Sequence, residues 1–249
     1  MKLSEKEKAA QKAAFQNMNR KEKLDHVFTY YKWYIILGII ALIILISVIY
    51  RNATRKDPLV YLALTNVTIG EDMEADLTEG YIKAGGEAKK GAVYLYKDLY
   101  ISENADIINH EYAYASRMKL MGSVNAGRLD LVLMNREAYD MLSKSGYLLE
   151  LAPLLSEEAE LTQSLAPYFC ENTVVLSDNS IEYQLGEAVE HEVDTKTVMN
   201  GIDVSRLPLF EMAGLAEPVY FGIIANSGRL PECVRYLEYL ADVENTGAE

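Results

Sequence analysis

Few residues in this chain are equipped for chemistry, and they are scattered. Beyond residue 57 there are two histidines, His110 and His191. His110-Glu111 has no second histidine four residues on, so it lacks the helical pair that grips zinc. Glu190-His191-Glu192 with Asp194 offers carboxylate and imidazole donors, and reads more simply as a solvated polar stretch. Gly85-Gly86 and Gly91 surround Lys89-Lys90 without the spacing of a phosphate loop; they read as a helix stop and a turn. There is no G-x-S-x-G, no Walker loop and no G-x-G-x-x-G. With no nucleophile set beside a base, the expectation is a protein that is not an enzyme and holds no metal or cofactor. Cys170 and Cys233 are the only cysteines. They are either a disulfide in an oxidising compartment or two isolated buried thiols.

Recognition is the chemistry that remains. Asn66, Tyr96, Asn135 and Asn226 each fall at the end of an expected strand, where an amide or phenol can orient a bound group. These four are the candidate ligand-binding residues. The chain has 18 Tyr and a single Trp, which lies in the apolar run near the start. Tyrosine offers a flat apolar face and a hydroxyl, suited to sugars, peptides or protein surfaces, although a half-buried core role uses the same properties.

The elements that must position these residues read as α/β. Leu59–Leu64, Ala92–Tyr96 and Leu129–Met134 are buried strands separated by helices at about Glu74–Ala84 and Ile107–Asn125. The second helix carries Tyr112, Ala115, Met118 and Met121/Gly122 on one stripe. Arg136–Ser145 is a helix stopped by Gly146, and Glu157–Leu165 is a short helix. Thr173–Leu176 and Ser180–Tyr183 flank Ser177-Asp178-Asn179, a hairpin signal. Thr197–Ile202 and Val219–Ala225 read as strands and Pro231–Val243 as a closing helix. Strand-helix alternation predicts a parallel or mixed sheet covered by helices.

A different kind of segment precedes them. Ile35–Ile49 is uncharged, and with Trp33, Tyr34 and Tyr50 it spans about 27 Å, the thickness of a hydrocarbon core. Tyr30, Tyr31, Trp33 and Tyr34 gather at one end and Tyr50 sits at the other, an aromatic belt. The long preceding region and the absence of an A-x-A site favour an uncleaved signal anchor over a signal peptide. Residues 1–56 hold 11 Lys+Arg against 4 Asp+Glu, whereas residues 57–249 hold 13 against 33. Eight basic residues precede the apolar run and three follow it, so the N-terminus is expected in the cytoplasm and the acidic part outside the cell. Ser4 with Glu7 and Asn19 with Glu22 are capping-box patterns, and from Arg20 a helix can run unbroken through the apolar run. The basic start suits contact with anionic lipid or docking to a membrane protein. An acidic domain repels phosphate backbones, which argues against nucleic acid as a partner.

Two stretches carry a resemblance. Residues 123–155, SVNAGRLDLVLMNREAYDMLSKSGYLLELAPLL, resemble the helix, A/S-G-x-x-D, strand, helix, Gly-Tyr-Leu and Leu-x-Pro-Leu pattern of bacterial extracellular solute-binding proteins. Residues 219–240, VYFGIIANSGRLPECVRYLEYL, are similar to that family's late strand, Asn-Ser turn and closing helix. The chain also resembles short membrane-anchored proteins of Gram-positive bacteria that carry such a domain on a Tyr-Tyr-Lys-Trp anchor. The resemblance implies a periplasmic-binding-protein-like α/β domain over 58–245 with a reduced second lobe. It would follow a basic segment (1–32), a transmembrane helix (33–50) and a linker (51–57). The function it implies is a membrane-tethered domain recognising a small solute or a protein partner; the alternative is an adaptor in a membrane assembly. The family's stacking tryptophans and lipid-anchoring cysteine are absent, which puts a deep cleft in doubt.

Overall fold

A computed structural model describes residues 19–54, 56–85, 91–104, 109–185 and 190–241. The Ser4 capping box, Gly86 and Lys89-Lys90 lie outside the described residues, as do the ends of the expected helices at Ile107 and Val243. The chain divides into two units, residues 1–55 and 56–249.

In the first unit, α1 runs Arg20–Thr54 as one continuous helix. Leu is a good helix former, Ile is tolerated, and no proline interrupts the run. Within it Lys32–Tyr50 is 19 residues long, apolar and unburied, enough to cross a membrane.

The second unit is mixed α/β, built on one six-stranded sheet in the order β2-β1-β3-β6-β5-β4. The strands are β1 (Pro58–Thr65), β2 (Ala92–Leu99), β3 (Leu131–Met134), β4 (Phe169–Asp178), β5 (Val193–Asp203) and β6 (Tyr220–Ile223). β2, β1 and β3 are parallel, with Tyr61 opposite Tyr94 and Leu62 opposite Leu131. β6 runs antiparallel to β3, and β5 and β4 continue that antiparallel half. The first half is thus linked by helical crossovers and the second ends in a long hairpin, as strand direction requires.

Alternation along the strands supplies two cores. Val60, Leu62, Leu64, Leu131, Leu133, Phe221 and Ile223 face one layer of helices. That layer comprises α2 (Glu71–Ala75), α3 (Tyr81–Ala84), α6 (Leu151–Leu154), α7 (Ala159–Leu165), α9 (Pro208–Ala213) and α10 (Leu230–Ala241). Ala63, Val132 and Met134 face α4 (His110–Asn125) and α5 (Arg136–Lys144) on the other side. A strand covered on both faces becomes a continuous apolar run, which is why LVLM at β3 is wholly buried.

A π-helical turn, Asp76–Gly80, joins α2 to α3. Its carbonyls are taken by tyrosines of α10: Tyr236 donates to Leu77 O at 2.7 Å and Tyr239 to Asp76 O at 2.9 Å. A Cβ on Gly80 would lie 2.5 Å from the Tyr239 hydroxyl oxygen, so the close approach selects glycine there.

Two sequence expectations change. Ser180–Tyr183 is not a strand; Ser180–Gln184 is a short helix, α8, and the return strand is β5. Asp178 Oδ1 accepts from Ser180 N–H at 2.9 Å, so the Ser-Asp-Asn stretch starts a helix instead of closing a two-residue turn. The Tyr112, Ala115, Met118, Gly122 stripe of α4 faces solvent; Ala113, Ser116, Leu120 and Val124 face the sheet. Both stripes recur at helical spacing and both are only weakly apolar, so spacing alone does not choose between them.

Candidate binding site at the strand ends

β1 and β3 end side by side, and the chain leaves both in loops. Asn66 follows β1 in the left-handed region, φ 57°, a conformation Asn tolerates better than most residues. Its amide is spent on the backbone that follows β2: Nδ2 donates to Ile101 O at 2.7 Å, and Oδ1 accepts from Ile101 N–H at 2.8 Å. Asn135 follows β3 and caps α5, its Oδ1 accepting from Ala138 N–H at 3.0 Å. Between them and residues 215–219 lies a hollow of about 230 Å³, whose polar lining includes Thr68 and Glu217. A second hollow of about 290 Å³ lies between the next parts of the same two segments, lined by Asp72, Asp76 and Met212 among others. The structure therefore brings Asn66 and Asn135 together at the crevice where open α/β sheets bind ligands.

The other two candidates lie elsewhere. Tyr96 sits on the face that carries α4, stacked on Tyr61 at 6.1 Å with Lys119 5.7 Å from its ring centre. Burial is the main force raising its phenol pKa. Asn226 follows β6, which is antiparallel, so it lies at the opposite end of the sheet; there it donates to Val124 O at 3.0 Å and closes α4.

That opposite end holds a buried polar knot. Asp130 is fully buried; it accepts from Tyr61 N–H at 2.9 Å, from Ser227 Oγ at 2.6 Å and from Arg229 at 3.3 Å. Arg229 also lies 5.0 Å from the centre of the Tyr61 ring and donates to Gly127 O. The knot ties β1, β3 and the start of α10 together. Gly127, φ 61°, supplies the left-handed helix stop that delivers Asp130 to it.

The thiols are free and apart in role. Cys233 is buried beside Ser227, and burial pushes its thiol up to about 12 against the opposing Ser227 hydrogen bond. Cys170 is half-buried and raised by the same cause. His191 pairs with Asp178 at 3.2 Å, an ion pair when the imidazole is protonated. Among the described residues no three His, Cys, Asp or Glu side chains converge on one point. The chain matches no protein-family model and no curated protein.

Sequence reading missed the 215–219 wall of the hollow, because a connecting loop carries no periodic signal. It also missed Thr65. Its hydroxyl is buried with no hydrogen-bond partner among the described residues, which nothing in a strand pattern announces.

Proposed function

We propose that the chain is a membrane-tethered, non-catalytic binding domain that meets its ligand outside the cell at the crevice beyond β1 and β3. The crevice carries this reading: two hollows, both lying where the parallel strands deliver their loops. The apolar Lys32–Tyr50 stretch supports the tether, and the excess of basic residues before it supports a cytoplasmic N-terminus. The pattern of residues 123–155 and 219–240 supports a solute-binding-protein-like origin with a reduced second lobe. Its six-stranded sheet belongs to one compact unit.

The test is thermal-shift screening of the purified protein against sugars, amino acids, short peptides and divalent cations. One class should raise the melting temperature, and Thr68→Trp, which fills the hollow, should abolish that shift. No shift with any class removes the small-solute reading.

A second reading, an adaptor in a membrane assembly, is favoured by one observation. The Asn66 amide and the Asn135 Oδ1 are spent on backbone, and a hollow of about 230 Å³ is below the size that encloses a drug-sized ligand. Thiol-accessibility labelling at position 245 in intact cells tests the topology common to both readings; protection of that probe overturns it.

A further inference from the structure

The hairpin β4–β5 forms an arm on one edge of the sheet. At its tip α8 presents Ile181 and Leu185, four residues apart on one face and each 68% exposed, beside exposed Leu176, Tyr183 and Val193. The tip is acidic as well. Glu182, Glu190, Glu192 and Asp194 are exposed and have no ion pair among the described residues.

The opposite edge has the complementary character. α4 packs over β2, the far edge strand. Its outward face carries Tyr114, Ala115, Met118 and Gly122, with Tyr114 61% and Met118 51% exposed, and one exposed carboxylate, Glu111. Nothing lies within 4 Å of a Cβ built on Gly122, so that face is open to a partner. At 100° per residue, Arg117 and Lys119 flank Met118 on either side, and Arg128 follows the helix. Cations are scarce in this unit and most are committed: Lys83, Lys97, Arg136, Lys144, Lys196, Arg229 and Arg235 each pair with a carboxylate. Among the described Lys and Arg of residues 57–241, Arg117, Lys119, Arg128 and Arg206 have no such partner. Three of those four sit on or just after α4. Beside them a hollow of about 260 Å³, lined by His110, Ala113, Tyr114 and Arg117 among others, has room for an apolar side chain.

We infer that the arm tip of one copy docks on the α4 face of a second copy. The occupant follows from charge. Tip against tip sets acid on acid, and α4 against α4 sets a net positive face on its like, since Glu111 offsets only one of Arg117, Lys119 and Arg128; tip against α4 pairs opposite net signs over apolar centres. Five strand spacings separate the two edges, about 24 Å, so both contacts of one copy are made at once. A head-to-tail contact of this kind is heterologous and builds rings or open rows. Confinement of the copies to one membrane would raise their effective concentration. The excess of acid in the whole unit does not forbid the contact, because charges beyond about 8 Å are screened at physiological salt. The inference holds whether or not the crevice takes a small ligand.

The test uses the full chain in a Cys170→Ser background, with Cys233 left buried. One tagged copy carries Ile181→Cys and a second, with a different tag, carries Met118→Cys; both are expressed in one membrane and oxidised. The expected result is a mixed Ile181–Met118 adduct at least about fivefold above either like-with-like adduct. Arg117→Glu with Lys119→Glu on the Met118 copy should cut it about tenfold, and Glu182→Lys with Glu192→Lys on the other copy should restore it. Melting temperature and protease resistance of each variant check folding; should the α4 reversal fail them, the arm reversal alone must still cut the adduct about tenfold. Equal like-with-like adducts, no chain-to-chain adduct, tip adducts only to another protein, or reversal without restoration each overturn the inference.

Discussion

The arm has a root and a tip that use their side chains in opposite ways. At the root the buried polar side chains Tyr139, Ser143 and Asn200 are hydrogen-bonded to one another and to backbone. The one hydroxyl proton of buried Tyr139 of α5 is shared between Asn200 Oδ1 at 2.9 Å and Cys170 O at 3.1 Å. Asn200 Nδ2 donates to Ser143 Oγ at 2.8 Å, which donates to Thr173 O at 3.1 Å. The Tyr139 ring stacks on Tyr220 at 5.0 Å, with the Arg136 guanidinium 5.5 Å from the Tyr139 ring centre. Burial, the largest cause, raises the Tyr139 phenol well above its ordinary pKa. At the tip apolar side chains are exposed, and Glu182, Glu190, Glu192 and Asp194 have no ion pair among the described residues. Satisfied polar groups in a core hold one geometry. Exposed apolar groups amid unspent charge do nothing for the fold, and are available to a second surface. The root therefore fixes where the tip points, and the tip carries what it presents.

The largest effect that breaks this contrast should come from Gly201→Ala. The new Cβ would lie 2.6 Å from the Tyr139 ring, which is clamped by its stack and hydrogen bonds. A cost of about 3 kcal/mol is expected in denaturant unfolding. Tyr139→Phe keeps the ring and strips the hydroxyl, leaving Asn200 Oδ1 without its donor; about 1–2 kcal/mol should be lost.

Thr65→Val removes a buried hydroxyl that has no partner, so a gain of up to about 1 kcal/mol is expected. The smallest effect belongs to the tip. Ile181→Ser with Leu185→Ser should stay within about 0.5 kcal/mol of the parent, and a larger loss would mean the tip is part of the core.

Cys233 supplies a direct readout for all four in a Cys170→Ser background. With its thiol pushed up to about 12, about one thiol in ten thousand is ionised at pH 8, so alkylation waits for unfolding. Since the shift is upward, at pH 8 the folded thiol is far less ionised than the same thiol exposed by unfolding, and intact-mass labelling at pH 8 should rank Gly201→Ala fastest and Thr65→Val slowest.

Much of the frame was legible in the sequence. Buried strands such as LVLM announce themselves because a doubly covered strand has no polar face. Gly127 and Gly146 marked helix stops correctly, each at positive φ, because left-handed backbone selects glycine. Asn66 and Asn135 were found as strand-end polar residues and do share a hollow. Their local roles, a turn clamp and a helix cap, explain their type as fully as a ligand would. Asn226 lies at the far end because β6 runs antiparallel, a direction no local pattern gives, whereas Tyr96 lies within β2, which continues to Leu99.

The sequence by itself determined the division of the chain: an apolar helix after a basic start, then an acidic α/β unit, because composition acts through length and charge alone. Only the tertiary structure decided which stripe of α4 faces outward, that the second half of the sheet ends in an arm, and which charges remain unpaired. Those depend on contacts between residues as far apart as Tyr139 and Asn200, or Asp130 and Arg229, and no local pattern encodes them.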